Sequence, residues 1–346
     1  MSEYITAEEI LVQVRKMPIQ ERARLKDILC SDNESGDGIK ELLTGHRFAG
    51  GRTCPHCGGH HVRKNGHRKD GTQKYVCVDC EKSFTITTNS IFSGTRKDIG
   101  AWRKYMECMA EGKSLDACAA ECGITHSTSF SWRHKILDAL SEAGDDTLLD
   151  GVVEADEAFF PASYKGDAQH FLGGADRPPR SRGGEVHTRG LSDELVCVPC
   201  AVDGKGNSVS LVAKLGKCSK KALEKVLGGR IAPESTICSD GDASYDGFAR
   251  DNGLNLVKVK GGRMSAGPFN IQRINSYHSQ LRVFLCPFRG VSTKYLNNYL
   301  IWNNAIRYCK RFVQNKLSLM FDAASDAMLS IRTADLRNRP PLPLLI

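Results

Sequence analysis

Two sets of residues in this sequence have the types and spacing that chemistry requires. The first is Cys54, Cys57, Cys77 and Cys80, which stand as C-x2-C-x19-C-x2-C in "CPHCGGHHVRKNGHRKDGTQKYVCVDC". Two such pairs supply four thiolates to one tetrahedral zinc, because each x2 spacing lets a tight knuckle turn both sulfurs onto one ion. His56, His60, His61 and His67 lie in the same stretch and could stand in for a thiolate. The second set is acidic. "GVVEADEAFF" carries Glu154, Asp156 and Glu157, and "STICSDGDASY" carries Asp240 and Asp242. Carboxylates at strand ends that meet in space make a site for a hard cation such as Mg2+. Each acid alone is weak evidence, since strand-end Asp residues are common in turns.

These residues need elements to position them. Between the cysteine pairs, RKNGHRKDGTQKYVC reads as a β-hairpin turning at Asp-Gly. So small a domain cannot bury much apolar surface, and bound metal would supply much of its folding energy. Arg52 to Lys74 holds six basic residues and one acid. That bias suits a phosphate backbone, with Arg63, Lys64, Arg68 and Lys69 as candidate contacts. GVVEADEAFF, ELVCVPCAVD, SVSLVAKL and STICSDGD read as strands. The two-residue period places Glu154 and Asp156 on one face of their strand and Glu157 on the other. By the same rule Cys197 and Cys200 point opposite ways, so they are expected to pack or lie at the surface rather than share a metal.

"SLDACAAECGITHSTSFSWRHKILDAL" reads as a helix-turn-helix. Ala117, Ala119 and Ala120 permit close packing, Gly123 permits the turn, and a second helix runs through Trp132 and Leu137. Ser127, Thr128, Ser129, Arg133, His134 and Lys135 are then expected to face DNA.

The totals agree with such a partner. The chain has 346 residues, enough for two or three domains, with 40% hydrophobic residues and a net charge of +8. No apolar run is long enough to span a bilayer, and the N-terminus MSEYITAEEI is unlike a signal peptide. The 14 cysteines therefore suggest a cytosolic protein in which clustered thiols bind metal. Residues 1–45 read as helical, 161–190 as a long Gly/Pro/Arg-rich loop. Val257 to Lys316 carries eleven Lys or Arg and no acid, a bias that a bound polyanion explains.

Taken together, the CPHC/CVDC ribbon, "WRHKIL", "EADEAFF", "SDGDASY" and "INSYHSQLR…GVSTKYLNNYLIW" resemble bacterial insertion-sequence transposases of the ISXO2-like, DDE-type kind. The resemblance covers roughly residues 40 to 310. It implies a multidomain α+β chain: an N-terminal helical segment (1–45), a zinc ribbon (46–92), a helix-turn-helix region (93–148), an RNase H-like α/β catalytic domain (149–312) and a C-terminal tail (313–346). It implies structural Zn2+, catalytic Mg2+ or Mn2+, and double-stranded DNA, both transposon ends and target, as partner. A homo-oligomer in the bacterial cytoplasm, associated with the nucleoid, is also implied.

The same resemblance makes Asp156 the first catalytic Asp and Asp240 the second. Many relatives have a Glu at the third position, with a Lys or Arg seven residues later. Here Asn275 stands seven residues before Arg282, and 34 residues lie between it and Asp240. Asn275 is thus expected as a neutral third Mg2+ ligand, with His278 one turn on as the competing ligand, phosphate-positioning group or proton shuttle. Arg282 is expected to touch phosphate, and Glu154 and Glu157 to serve as accessory acids. Two other readings stay open: a domesticated DNA-binding relative without catalysis, and an RNase H-like nuclease that cuts without joining.

Overall fold

The structure is a computed structural model that describes residues 17–18, 21–22, 39–69, 71–143, 147–166, 188, 190–259, 265–312 and 315–343. Most of the expected N-terminal helical segment and most of the 161–190 loop lie outside the described residues. The chain divides into two compact units, Met1–Asp145 with Phe312–Arg337, and Asp146–Arg311 with Asn338–Ile346.

The first unit opens with α1 (Ile39–Arg47) and a three-stranded antiparallel sheet, β1 (Val62–His67), β2 (Gln73–Cys77) and β3 (Ser83–Phe84). The hairpin is the expected one, and Gly71 takes φ +79° in its turn, a value that glycine adopts without steric cost. Its apolar content is small: Tyr75 stacks on Phe84 at 5.5 Å, and Phe48 meets Tyr75 edge-on at 5.0 Å.

Three helices follow. In α2 (Ile99–Ala110), Trp102, Tyr105, Met106 and Met109 are buried at helical spacing, and the Asp98 side chain accepts from Gly100 N at the N-terminus. α3 (Leu115–Cys122) is capped by Ser114 and ends at Gly123, whose φ of 60° is the left-handed value a helix C-cap requires. α4 (His126–Ala143) then runs for 18 residues.

The second unit is a mixed sheet. β4 (Val152–Pro161) lies at its centre, antiparallel to β5 (Leu195–Val202) and parallel to β8 (Thr236–Ser239). β6 (Ser208–Ser210) and β7 (Lys214–Leu215) both pair with β5, and β9 (Asn255–Lys258) pairs in parallel with β8, giving the order β6-β5-β4-β8-β9. One face packs α5 (Lys220–Leu227) and α6 (Ser244–Asp251) over Val153, Ala155, Cys197, Ala201 and Ile237. The other packs α7 (Gln272–Leu285) and α8 (Leu296–Phe312) over Ala158, Val198, Cys200 and Val202. Cys197 and Cys200 thus enter opposite cores, both fully buried, as strand periodicity requires.

The segment expected as a tail is helical. α9 (Lys316–Asp326) is capped by Asn315, whose side chain accepts from Leu317 N at 2.9 Å. It packs against α1, α2 and α4 and buries Leu319, Met320, Phe321, Ala323 and Ala324. A short α10 (Thr333–Arg337) closes the unit.

Candidate functional site

The acids are positioned by β4 and β8. Parallel pairing sets Glu154 opposite Cys238, so Asp156 and Asp240 stand two residues further along neighbouring strands. Asp156 is half-buried and Asp240 exposed. Burial, with the charge of Asp240 nearby, pushes the Asp156 carboxyl up to about 6. Asp156 Oδ1 accepts from Glu157 N at 2.8 Å, which leaves Oδ2 toward α7.

There it meets His278. His278 Nδ1 lies 3.7 Å from Asp156 Oδ2, too far for a hydrogen bond. Burial and the positive charge of Arg282 hold the His278 pKa down to about 4, so at neutral pH the imidazole is uncharged and the contact is not an ion pair. Its Nε2 is buried and has no hydrogen-bond partner among the described residues. Asn275, the expected third ligand, is exposed, and so is Arg282. The structure therefore brings His278 to Asp156, and Asn275 to the solvent side of the helix.

Glu154 has a different task from the one expected. It is fully buried, and Oε2 accepts from the backbone N–H groups of Arg273 and Ile274 at 2.7 and 3.1 Å. Oε1 accepts from Arg273 Nε at 2.7 Å. Glu154 caps the start of α7 and is spent as an anchor, which sequence periodicity alone could not show. Glu157, on the opposite face, accepts from Tyr245 Oη at 2.8 Å. Burial, reinforced by Asp156 and Asp240, pushes it up to about 7 despite that bond.

Sequence reasoning also missed Tyr277. Its hydroxyl meets Ser210 Oγ at 2.5 Å and donates to Asn304 Oδ1 at 2.7 Å, fixing the rotation of α7. No local signal in the sequence marks that contact.

In the first unit the four ribbon cysteines converge. Their sulfurs all lie within 4.8 Å of one another, with Cys54 to Cys80 at 3.7 Å and Cys57 to Cys77 at 3.6 Å. A tetrahedral zinc with Zn–S bonds of about 2.3 Å sets its sulfurs about 3.8 Å apart, so the donor set fits the ion. His60 and His61 instead lie against Thr53 and Asp79. Among the described residues no other group of three His, Cys, Asp or Glu ligand atoms is this close, the acidic site included.

Residues 148–301 match the family model described as an ISXO2-like transposase domain. The chain carries an ISXO2-like transposase domain. A curated relative, the "uncharacterized protein in transposable element ISH50" of Halobacterium salinarum, is 28% identical over 267 residues, 75% of this chain and 86% of that one. Together these support an insertion-sequence transposase. Among solved structures, a pre-cleavage Mos1 transpososome aligns over 92% of this chain and 96% of that one, with 9% identity and a TM-score of 0.20, too low to carry an argument.

The transposase domain spans β4 to α8 and holds Asp156, Asp240, Asn275, His278 and Arg282. Outside it, Arg63, Lys64, Arg68 and Lys69 are exposed along β1 and its turn. Ser127 is exposed, Thr128 and Lys135 are half-buried. Arg133, His134 and Ser129 depart from expectation, being 0%, 1% and 0% exposed. Arg133 donates to Lys113 O at 2.7 Å and lies 3.3 Å from Cys118 Sγ, while His134 packs on Phe130. Ser129 Oγ donates to Leu115 O at 2.8 Å. Ser129 and Arg133 hold α4 against α3 and against Lys113 before it, His134 is buried against its own helix, and all three are withdrawn from the DNA-facing set. No helix among the described residues is long and apolar enough to cross a membrane.

Proposed function

We propose that this transposase binds the terminal inverted repeats of its insertion sequence and catalyses metal-dependent strand cleavage and strand transfer. The observation that carries the reading is that Asp156 in the middle of β4 stands beside Asp240, just past the end of the neighbouring β8, with His278 3.7 Å from Asp156. The strand order, with β4 central between an antiparallel and a parallel neighbour, supports an RNase H-like arrangement.

In cleavage, a water oxygen bonds to phosphorus, the P–O3′ bond breaks, and a 3′-hydroxyl is left on the transposon end. In transfer, that hydroxyl attacks a target phosphate and a target 3′-hydroxyl leaves. Asp156 and Asp240 would hold Mg2+ or Mn2+, which when bound neutralises charge on the phosphate and lowers the pKa of the attacking water. His278 takes the third place, facing Asp156 as a neutral imidazole whose nitrogens can position or accept a proton. Burial, helped by Arg282, keeps that imidazole neutral, and Arg282 offers its charge to phosphate. The ribbon and the α3–α4 pair, read as a zinc ribbon and helix-turn-helix, would hold the end DNA. Joining two ends calls for a homo-oligomer.

A strand-transfer assay on labelled end DNA tests this. Wild type should cut and join, and Asp156→Ala should bind the same DNA yet do neither. Cutting without joining would favour the nuclease reading. Binding without cutting, by wild type, would favour the domesticated DNA-binding protein, which the lack of a third carboxylate at Asn275 and His278 keeps in play.

A further inference from the structure

We propose that a cleft between the 93–97 loop and the start of α4 grips the sugar–phosphate backbone of duplex DNA without reading its sequence. This rests on the DNA-binding reading above and assigns one of its surfaces. The cleft has a volume of about 550 Å³. Its walls present three cations, Arg96, Lys97 and Lys135, together with the hydroxyls of Ser127 and Thr128. Lys97 Nζ donates to Gly123 O at 3.3 Å, which ties the loop to the α3–α4 turn and keeps the cations together. Arg96 is exposed, with no hydrogen-bond or ion-pair partner among the described residues. The cleft also opens at the N-terminus of an 18-residue helix, whose dipole favours an anion while Thr125 Oγ1 accepts from Thr128 N at 3.2 Å.

Two observations separate backbone gripping from base reading. Trp102 and Trp132 line the cleft, but both are buried and stacked on each other, with centroids 4.1 Å apart. Neither ring offers a free face to an unstacked base, as single-strand binding requires. Further along α4, Arg133 and His134 are turned into the protein and cannot reach a groove. Cations and hydroxyls remain, and such groups fix register on a duplex while carrying no sequence information.

The test uses the full-length, zinc-loaded chain. Affinity is measured by fluorescence anisotropy for two duplexes of equal length, one carrying the terminal repeat and one scrambled, across a salt series. Arg96→Gln should weaken both by the same factor, roughly threefold to tenfold, and reduce the slope of log affinity against log salt by about one, since each phosphate contact contributes about 0.9. Ser127→Asp, which sets a negative charge in the cleft, should weaken both further, and Arg96→Lys should keep most of the slope. Both positions face solvent, and an unchanged melting temperature and zinc content confirm folding. Should one variant melt early, the other carries the test. Wild-type affinity and slope in both Arg96→Gln and Ser127→Asp would overturn the cleft while leaving DNA binding intact. A loss confined to the terminal-repeat duplex would overturn it too, because it would mean base readout. Absence of wild-type affinity for either duplex would overturn the functional reading itself.

Discussion

Asp156 and His278 face each other across 3.7 Å without an ionic bond, because burial and Arg282 keep the imidazole neutral. The pair ranks the two candidates for the third position. His278→Ala should depress single-turnover cleavage about a hundredfold, the scale expected when a proton-positioning group is lost. Asn275→Ala, at an exposed position, should stay within about threefold of wild type. The reverse order would return the third place to Asn275. His278→Glu supplies a carboxylate beside Asp156 and should sharpen dependence on Mg2+ over softer ions.

The ribbon should bind about one equivalent of zinc per chain. Cys77→Ser removes a buried sulfur from the four and should lower the metal content and unfold residues 50–90, read by hydrogen exchange. Zinc-free protein with a protected ribbon would contradict the assignment.

Glu154→Gln should loosen the start of α7. The change leaves Arg273 without its carboxylate and weakens the cap on two backbone amides. Because Arg273 is partly exposed, the loss should be about 2 kcal/mol, below the 3–5 typical of a fully buried broken pair. Urea unfolding of the variant measures it. Cleavage should fall as well, since α7 carries His278.

His46 should make the first unit pH-sensitive. Burial alone would lower its pKa, but hydrogen bonds to Asp322 and Asp326 outweigh that and hold it at about 9, against an ordinary value of 6.5. The native state therefore keeps a proton that the unfolded chain gives up. The stabilisation is full below pH 6.5 and is lost as pH rises toward 9, on the order of 3 kcal/mol in all. Thermal melts of wild type should fall across that window, while those of His46→Gln, less stable below it, should stay flatter. Parallel curves would show that the imidazole does not hold α9.

Much of this was legible where a short period decides geometry. The cysteine spacing gave the sulfur cluster, and strand alternation put Glu154 and Asp156 on the α7 face, Glu157 and Cys197 on the other. What stayed hidden depends on contacts distant in sequence. Asn275 and His278 differ by three positions, about 60° around a helix, and which one faces Asp156 is set by Glu154 binding Arg273 and by Tyr277 meeting Ser210 and Asn304. Arg133 looks like a surface residue until Lys113 O and Cys118, twenty and fifteen positions back, are known to receive it. The helix α9 did have a local signal, the apolar run Leu319, Met320, Phe321, Ala323, Ala324 behind an Asn cap, which the expectation of a tail passed over.

That helix also sets an order of events. The chain leaves its first unit at Asp145 and re-enters it at Phe312, so a ribosome must make all of the second unit except its closing stretch, 338–346, before α9 emerges. At 5–20 residues per second this delay is roughly ten to thirty seconds. Until then the apolar faces of α1, α2 and α4 wait without their cover. A nascent chain stalled before that point would hold a finished sheet with its acids and an unfinished first unit, so the proposed cutting site forms before the proposed DNA-binding body is complete.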